Sequence, residues 1–459
     1  MTEPPWQFPA GSSRPKNHRS CPPPAPRLPA PSLVITIPLP RGSRPEGIAR
    51  ASDSEIFVAC LSGAILHVDL HTKRVTRVLE ERGAALSGVK WDGEQGALFA
   101  AATLSGKAYV YFLERTGAAE GGGGGGGGRS AGVGAEGAPV QQEGGQRRGQ
   151  EGSSERKEGA EKAPAGADEA RQGGTPGTQL LGSSIQQPSF KDPVPAAASA
   201  APGAPWRVKR RVAVQLARVP PWYINDVALT RDAALFTDSV ASRLFSLPRF
   251  FGPDEQPVAT AYALGPRFAV LPGQFKSNGL AVLPPETASG KTNASSSDGS
   301  GGGEAEVLVA NLHEGDFYQV ALPSLAAAPR ARGALFGPAA AGAAVSRVET
   351  PAVERKRLFL DGLWLEGSST LYAADNFHNR VVRFELVRNQ DGGGYKAEPT
   401  CVIAPQDYRT PTTLTMTNGD GGGRVLWAVN AHLTTCLPFV PCPSHKFELI
   451  GVRPQDFCS

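Results

Sequence analysis

Six stretches of this chain repeat one pattern: an apolar triplet, a small and polar patch, then an alternating apolar strand. They read EIFVACLSGAILHVDL from Glu55, ALFAAATLSGKAYVYFL from Ala97, ALFTDSVASRLFSLP from Ala234, VLVANLHEGDFYQVAL from Val307, TLYAADNFHNRVVRFEL from Thr370 and VLWAVNAHLTT from Val425, the last resuming as KFELIGV at Lys446. Each has the pattern of a β-hairpin with both strands half buried. A short lead-in strand precedes each hairpin: EGIAR at Glu46, SGVKW at Ser87, NDVAL at Asn225, NGLAV at Asn278, DGLWL at Asp361 and PTTLTM at Pro411. Lead-in, hairpin and one further strand make a four-stranded sheet. Six such sheets in a line would leave exposed edges, and a closed ring removes them. The reading is therefore an all-β chain, a six-bladed β-propeller. The extended segment LVITIPL, from Leu33 to Leu39, is expected to pair with the last sheet and close the ring.

The spacing between repeats is uneven, and low-complexity insertions account for the excess. A Gly/Ala/Glu-rich tract over 117–205, with an unbroken glycine run from Gly121 to Gly128, cannot bury enough apolar surface to offset the entropy of ordering. A polar insertion over 285–305 splits the fourth blade, and an Ala-rich stretch runs over about 325–345. All fall where blade loops belong, where added length costs little. The expected organisation is a disordered Pro-rich tail over 1–32, a propeller over 33–453 interrupted by disordered insertions, and a C-terminal tail over 454–459. The glycine run matches a dinucleotide-binding fingerprint only trivially, since no strand-to-helix pattern surrounds it. Gly290-Lys291-Thr292 lacks the upstream glycine of a phosphate-binding loop.

Composition narrows the function classes. The formal net charge is +4, and no basic block is interleaved with aromatics, so no nucleic-acid partner is expected. No uninterrupted apolar run is long enough to span a bilayer, so no membrane partner is expected either. Of six cysteines, Cys436, Cys442 and Cys458 crowd the C-terminal end, while Cys21, Cys60 and Cys401 are scattered. Two readings stand: free thiols in a large domain, or a disulfide, most easily Cys436–Cys442, implying an oxidising compartment. The sequon at Asn293 agrees faintly with the second. The opening residues show no apolar core followed by small residues, so no signal peptide is read. The compartment stays open, with a faint lean to a secretory or organellar one. No GxSxG elbow occurs, which ranks a serine hydrolase low. Oligomeric state is not readable.

The chemistry lies in the lead-ins. In a propeller the first strand of each blade lines the central channel, so residues at its start face one another. Glu46, Asn225, Asn278 and Asp361 come from four blades at one phase of the repeat. Two carboxylates and two carboxamides are oxygen donors suited to a hard divalent cation such as calcium. The competing reading is turn chemistry, because Asn-Gly, Asp-Gly and Asn-Asp are ordinary turn dipeptides. That reading does not explain Glu46, nor the polar ring completed by Ser87 and Pro411-Thr412. Trp222, Tyr223, Phe275, His313, Trp364 and His378 are candidates to line the channel mouth, against ordinary packing.

The lead-ins PEGIA, NDVAL, SNGLAV and DGLWL resemble those of the regucalcin/gluconolactonase group, six-bladed calcium-dependent propellers of the calcium-dependent phosphotriesterase superfamily. The chain looks closest to a divergent plant and bacterial branch. The resemblance implies a divalent metal held by Glu46, Asn225, Asn278 and Asp361. It implies hydrolysis of a small-molecule lactone or related ester, the metal polarising the carbonyl and Asp361 acting as the catalytic carboxylate that assists water. Sugar-lactone members carry an Arg two residues before the Asn-Asp pair, where this chain has Tyr223. The alternative is a non-catalytic propeller whose structural calcium ties blades together while a loop face binds a partner or small ligand.

Overall fold

In the computed structural model the described residues are 34–116, 204–218, 220–271, 274–284, 305–323, 343–390, 394–419, 421–433 and 446–458. They form six four-stranded antiparallel sheets. The innermost strands are the six lead-ins: Pro45–Arg50, Leu86–Asp92, Ile224–Leu229, Ser277–Val282, Leu360–Glu366 and Pro411–Asn418. Each packs against the next around a closed ring, and the sixth against the first. The chain is a six-bladed β-propeller, as its repeats predict. Val34–Leu39 pairs with Phe447–Val452 as the outer strand of blade six, from Val34 opposite Val452 to Leu39 opposite Phe447. The ring is thus sealed by strands from near both ends of the chain.

The burial pattern explains why the hairpins were legible. Second strands lie between neighbouring blades and are buried on both faces, so Glu55–Cys60, Ala97–Ala102 and Ala233–Asp238 are buried throughout. Strands covered on both sides read as near-continuous apolar runs. Outer strands face solvent, and Trp206–Gln215 alternates. The core is divided into wedges between adjacent blades. Phe57, Leu98 and Tyr111 fill the first, between blades one and two. Phe317, Leu371 and Phe384 fill the one between blades four and five. Each fully buried aromatic there contributes roughly 1.5–3 kcal/mol.

One outer strand begins just past the expected end of an insertion, and another begins inside one. Trp206 starts the outer strand of blade two, directly opposite Arg115. Ala344–Val348 forms the outer strand of blade four, paired with Phe317–Ala321, although the Ala-rich stretch was read as running to 345. Most of the expected insertions, the N-terminal tail and Asn293 lie outside the described residues.

The C-terminal end is packed rather than trailing. Pro454–Asp456 makes a 3-10 turn with Pro454 buried, and Cys458 forms a disulfide with Cys401 on the outer strand of blade five. The expected partners Cys436 and Cys442 lie outside the described residues. The Cys401–Cys458 bridge forms because the ring brings the outer edge of blade five against residues 454–458. Cys60 is free and buried. No helix among the described residues is long and apolar enough to cross a membrane.

Candidate functional site

The pairing register breaks at the same place in all six innermost strands. The shifts fall between Pro45 and Gly47, Leu86 and Val89, Ile224 and Val227, Ser277 and Leu280, Leu360 and Leu363, and Pro411 and Leu414. These are β-bulges, which re-aim a side chain and leave extra residues unpaired. The bulged residues include Glu46, Ser87, Asn225, Asn278, Asp361 and Thr412. The dipeptides that looked like turns are therefore inside strands. Their glycines are needed for close approach: a Cβ on Gly47 would lie 2.0 Å from the Ser87 carbonyl oxygen, and one on Gly279 would lie 2.0 Å from that of Asp361. Blade three has Asp226 at that phase, and its carboxylate accepts from the Val227 N–H at 2.8 Å and the Leu280 N–H at 2.9 Å.

Four of the six bulges present the side chains singled out from sequence. Glu46, Asn225, Asn278 and Asp361 are each between 4% and 7% exposed. The Asn225 amide donates to the Asn278 side-chain oxygen and, at 3.1 Å, to the Ser239 hydroxyl. Asn278 in turn hydrogen-bonds Asp361. Asn376 also donates to Asp361, to its Oδ2 at 2.9 Å. Glu46 lies within electrostatic reach of Asp361, and its Oε2 is buried with no hydrogen bond. Three of the four are thus linked by hydrogen bonds, and Glu46 faces them through its charge. Ser87 and Thr412 complete the ring differently. The Ser87 hydroxyl lies 2.7 Å from the Asn225 carbonyl oxygen and that of Thr412 lies 2.9 Å from the Glu46 carbonyl oxygen, so both tie blades together.

Burial dominates the electrostatics. It pushes the Glu46 carboxyl well above its ordinary range, with the charges of Asp361 and Asp226 adding to it and Arg44 opposing. It pushes Asp361 up to about 8 despite the hydrogen bonds from Asn376 and Asn278. Asp226 is raised by burial as well, opposed chiefly by Lys90. Crowded buried carboxyls of this kind hold protons or a cation.

The mouth residues divide. Tyr223 is buried, is acted on by the charges of Glu46 and Asp361, and makes an edge contact with Phe275 at 5.0 Å. Trp222 lies beside it, its indole N–H on the Leu104 carbonyl at 3.1 Å. His378 is fixed by Asp375 at 2.8 Å, and His313 by the Gln274 amide at 2.9 Å. Trp364 is not with them. It lines a groove of about 250 Å³ with Lys90, Trp91, Leu229 and Leu280, towards the far ends of the innermost strands. Three residues of strand place it roughly 10 Å along from Asp361.

Sequence reasoning missed Asp226, Asn376, Ser239 and Asp375. The signal was present: FTDSV, VANLH, AADNF and AVNAH place an Asp or Asn at one phase, where the second strand ends. Asp238 and Asp375 there accept the Tyr223 and Phe359 N–H groups at 2.9 and 2.8 Å, anchoring the approach to the bulges at Asn225 and Asp361.

Among the described residues no group of three or more His, Cys, Asp and Glu side chains gathers to hold a metal. The axial set offers two carboxylates and two carboxamides instead, and the unpartnered Glu46 oxygen fits a hard cation better than a transition metal. Fold and site together define a six-bladed propeller with an oxygen-lined axial cluster. No family model and no curated protein matches the sequence. Among solved structures the chain is similar to a luciferin-regenerating enzyme, at 9% identity over 91% of this chain and 95% of that one, TM-score 0.44. It is similar to virginiamycin B lyase from Staphylococcus aureus, at 9% over 87% and 82%, TM-score 0.40. It is similar to a streptogramin B lyase, at 10% over 91% and 97%, TM-score 0.40. At such identities and scores these likenesses say nothing about chemistry.

Proposed function

We propose that the protein is a divalent-cation-dependent hydrolase of a lactone or related ester, with calcium held by Glu46, Asn225, Asn278 and Asp361. The observation that supports this reading is the buried, hydrogen-bonded run Asn225–Asn278–Asp361, within electrostatic reach of a buried Glu46 with one oxygen left without a hydrogen bond. An all-oxygen donor set of low charge suits calcium. When bound, the ion would supply Lewis acidity toward a substrate carbonyl. Asp361, its carboxyl pushed up to about 8 by burial, would give up that proton to hold the cation, and the resulting carboxylate would assist water. Asn376 and Asn278 both donate to its carboxyl and hold its orientation. Tyr223 and Phe275, in edge contact at 5.0 Å, give the same end aromatic surface. The order Glu, Asn, Asn, Asp supports the resemblance to the regucalcin/gluconolactonase group, while Tyr223 favours a less polar substrate than a sugar lactone.

A second reading rests on the depth of the cluster. Residues no more than 7% exposed suit a structural ion that ties blades together. One experiment separates the two. Calcium is titrated calorimetrically into chelator-treated protein, and hydrolysis of lactones, aryl esters and phosphotriesters is measured with and without the ion. Under the hydrolase reading, Asp361→Asn stays folded and loses about 10²–10⁴ in turnover. Binding and a raised melting temperature with no turnover on any substrate would leave only the structural ion. Absence of binding would remove both.

A further inference from the structure

A cavity of about 600 Å³ opens near blade four, lined by Arg267, His313, Glu314, Asp316, Arg347 and Arg357, with Tyr318 at its wall. We propose that it is a recognition site for the anionic group, carboxylate or phosphate, of a small molecule. The proposal does not depend on whether the axial cluster is catalytic.

The charges around the cavity do not balance. Its two carboxylates already have partners. Asp316 pairs with Arg347 at 2.8 Å. Glu314 takes the Lys276 ammonium at 3.2 Å and the Tyr318 hydroxyl. Arg267 and Arg357 have no carboxylate partner among the described residues. The Arg267 backbone carbonyl accepts from Lys276, which fixes the main chain that carries this guanidinium at the cavity. The Arg357 guanidinium lies over the Phe359 ring at 5.2 Å, its charge facing His313. Two exposed guanidiniums without counter-ions on one concave site attract an anion, and their planar forks suit carboxylate or phosphate oxygens.

His313 adds a neutral polar group. Burial and the charges of Arg357 and Lys276 hold its imidazole below the ordinary histidine range, and Gln274 contacts its Nε2. The wall is also stiff. Gly315 adopts φ +75°, and a Cβ there would lie 2.5 Å from the Leu358 carbonyl oxygen and 3.2 Å from Arg357 Cγ. The loop carrying His313 is therefore seated directly on the segment carrying Arg357.

The cavity opens at the end of the ring that carries the axial cluster. Lys276 immediately precedes Ser277-Asn278, and the Leu312 N–H bonds its carbonyl at 2.9 Å. Arg357 is four residues before Asp361, at most about 14 Å of extended chain. A ligand anchored here by its anion can reach the channel mouth.

The test uses the full-length calcium-treated protein and two probes, inorganic phosphate and succinate. Binding is followed by calorimetry and by the His313 imidazole resonances. The expected result is saturable millimolar or tighter binding of at least one probe, weakening with salt, with the His313 resonances shifting. Arg267→Gln and Arg357→Gln, both at exposed positions, should each weaken binding about tenfold or more while leaving the melt unchanged. Arg77→Gln, on an exposed pair with Glu80 in blade one, should leave binding unchanged. Preference for one probe decides between phosphate and carboxylate. No saturable binding of either probe, or binding that both cavity variants leave intact, overturns the proposal.

Discussion

Asp361 shows how one buried carboxyl ties the site to stability. Its proton is held to about pH 8, whereas in an unfolded chain it leaves near 4. Between those values the folded state binds more protons, so stability falls as pH rises, and the contribution is complete only below the lower value. In chelator, the melting temperature should therefore drop from pH 5 to pH 8, and Asp361→Asn should flatten that slope. Added calcium should flatten it in the parent under the proposed function. Equal slopes in parent and variant, followed by scanning calorimetry, would show that Asp361 is not held protonated. Gly279 makes a second residue-scale case. Its side of the strand faces the Asp361 carbonyl so closely that Gly279→Ala must move one blade against the next. A loss on the order of 3 kcal/mol is expected. Gly252→Ala, whose Cβ would meet nothing nearer than 3.8 Å, should stay within about 0.5 kcal/mol by denaturant titration. The sequence showed that Gly279, like Gly47, follows a polar residue. It did not show why, because the neighbour that excludes a Cβ comes from another blade.

Elements differ in how plainly the sequence announces them. Second and third strands, sandwiched between blades, are apolar enough to stand out. Outer strands are not: Ala344–Val348 is mostly exposed, and its local sequence looks like the insertion before it. The bulges were invisible as well, since a bulge is a relation between two strands and no residue type demands it. The base of the long insertion in blade two is closed by its own contacts. The Thr116 N–H bonds the Pro205 carbonyl at 2.9 Å, and the Arg115 guanidinium lies 4.6 Å from the centre of the Trp206 ring while pairing with Glu55. Replacing 117–203 by a short glycine-containing turn should leave a cooperative melt and raise stability by up to about 2 kcal/mol through cheaper loop closure. Loss of the cooperative transition would mean the strands at Arg115 and Trp206 need more than each other.

The whole molecule is held shut at blade six, where strands from both ends of the chain share a sheet. Thr412 and Thr413 hydroxyls on the Glu46 carbonyl, and Asn418 on Asp53 at 3.0 Å, add polar ties from blade six to blade one. The Cys401–Cys458 bridge spans 57 residues, and the chain-entropy model gives such a loop about 4 kcal/mol at most. Cys458→Ser or reduction should lower the melting temperature without changing the fold seen by circular dichroism. An unchanged melt would mean the C-terminal turn is held by packing alone. By itself the sequence determined the number of blades, the strand that closes the ring and the four polar residues at one phase, because periodic burial writes those into the order of side chains. Only the tertiary structure decided that the polar residues sit on bulges, that Asn225, Asn278 and Asp361 share hydrogen bonds, that Trp364 lies far from them, and that Cys401 pairs with Cys458. Those facts depend on distances between segments far apart in the chain, and closing the ring is what sets them.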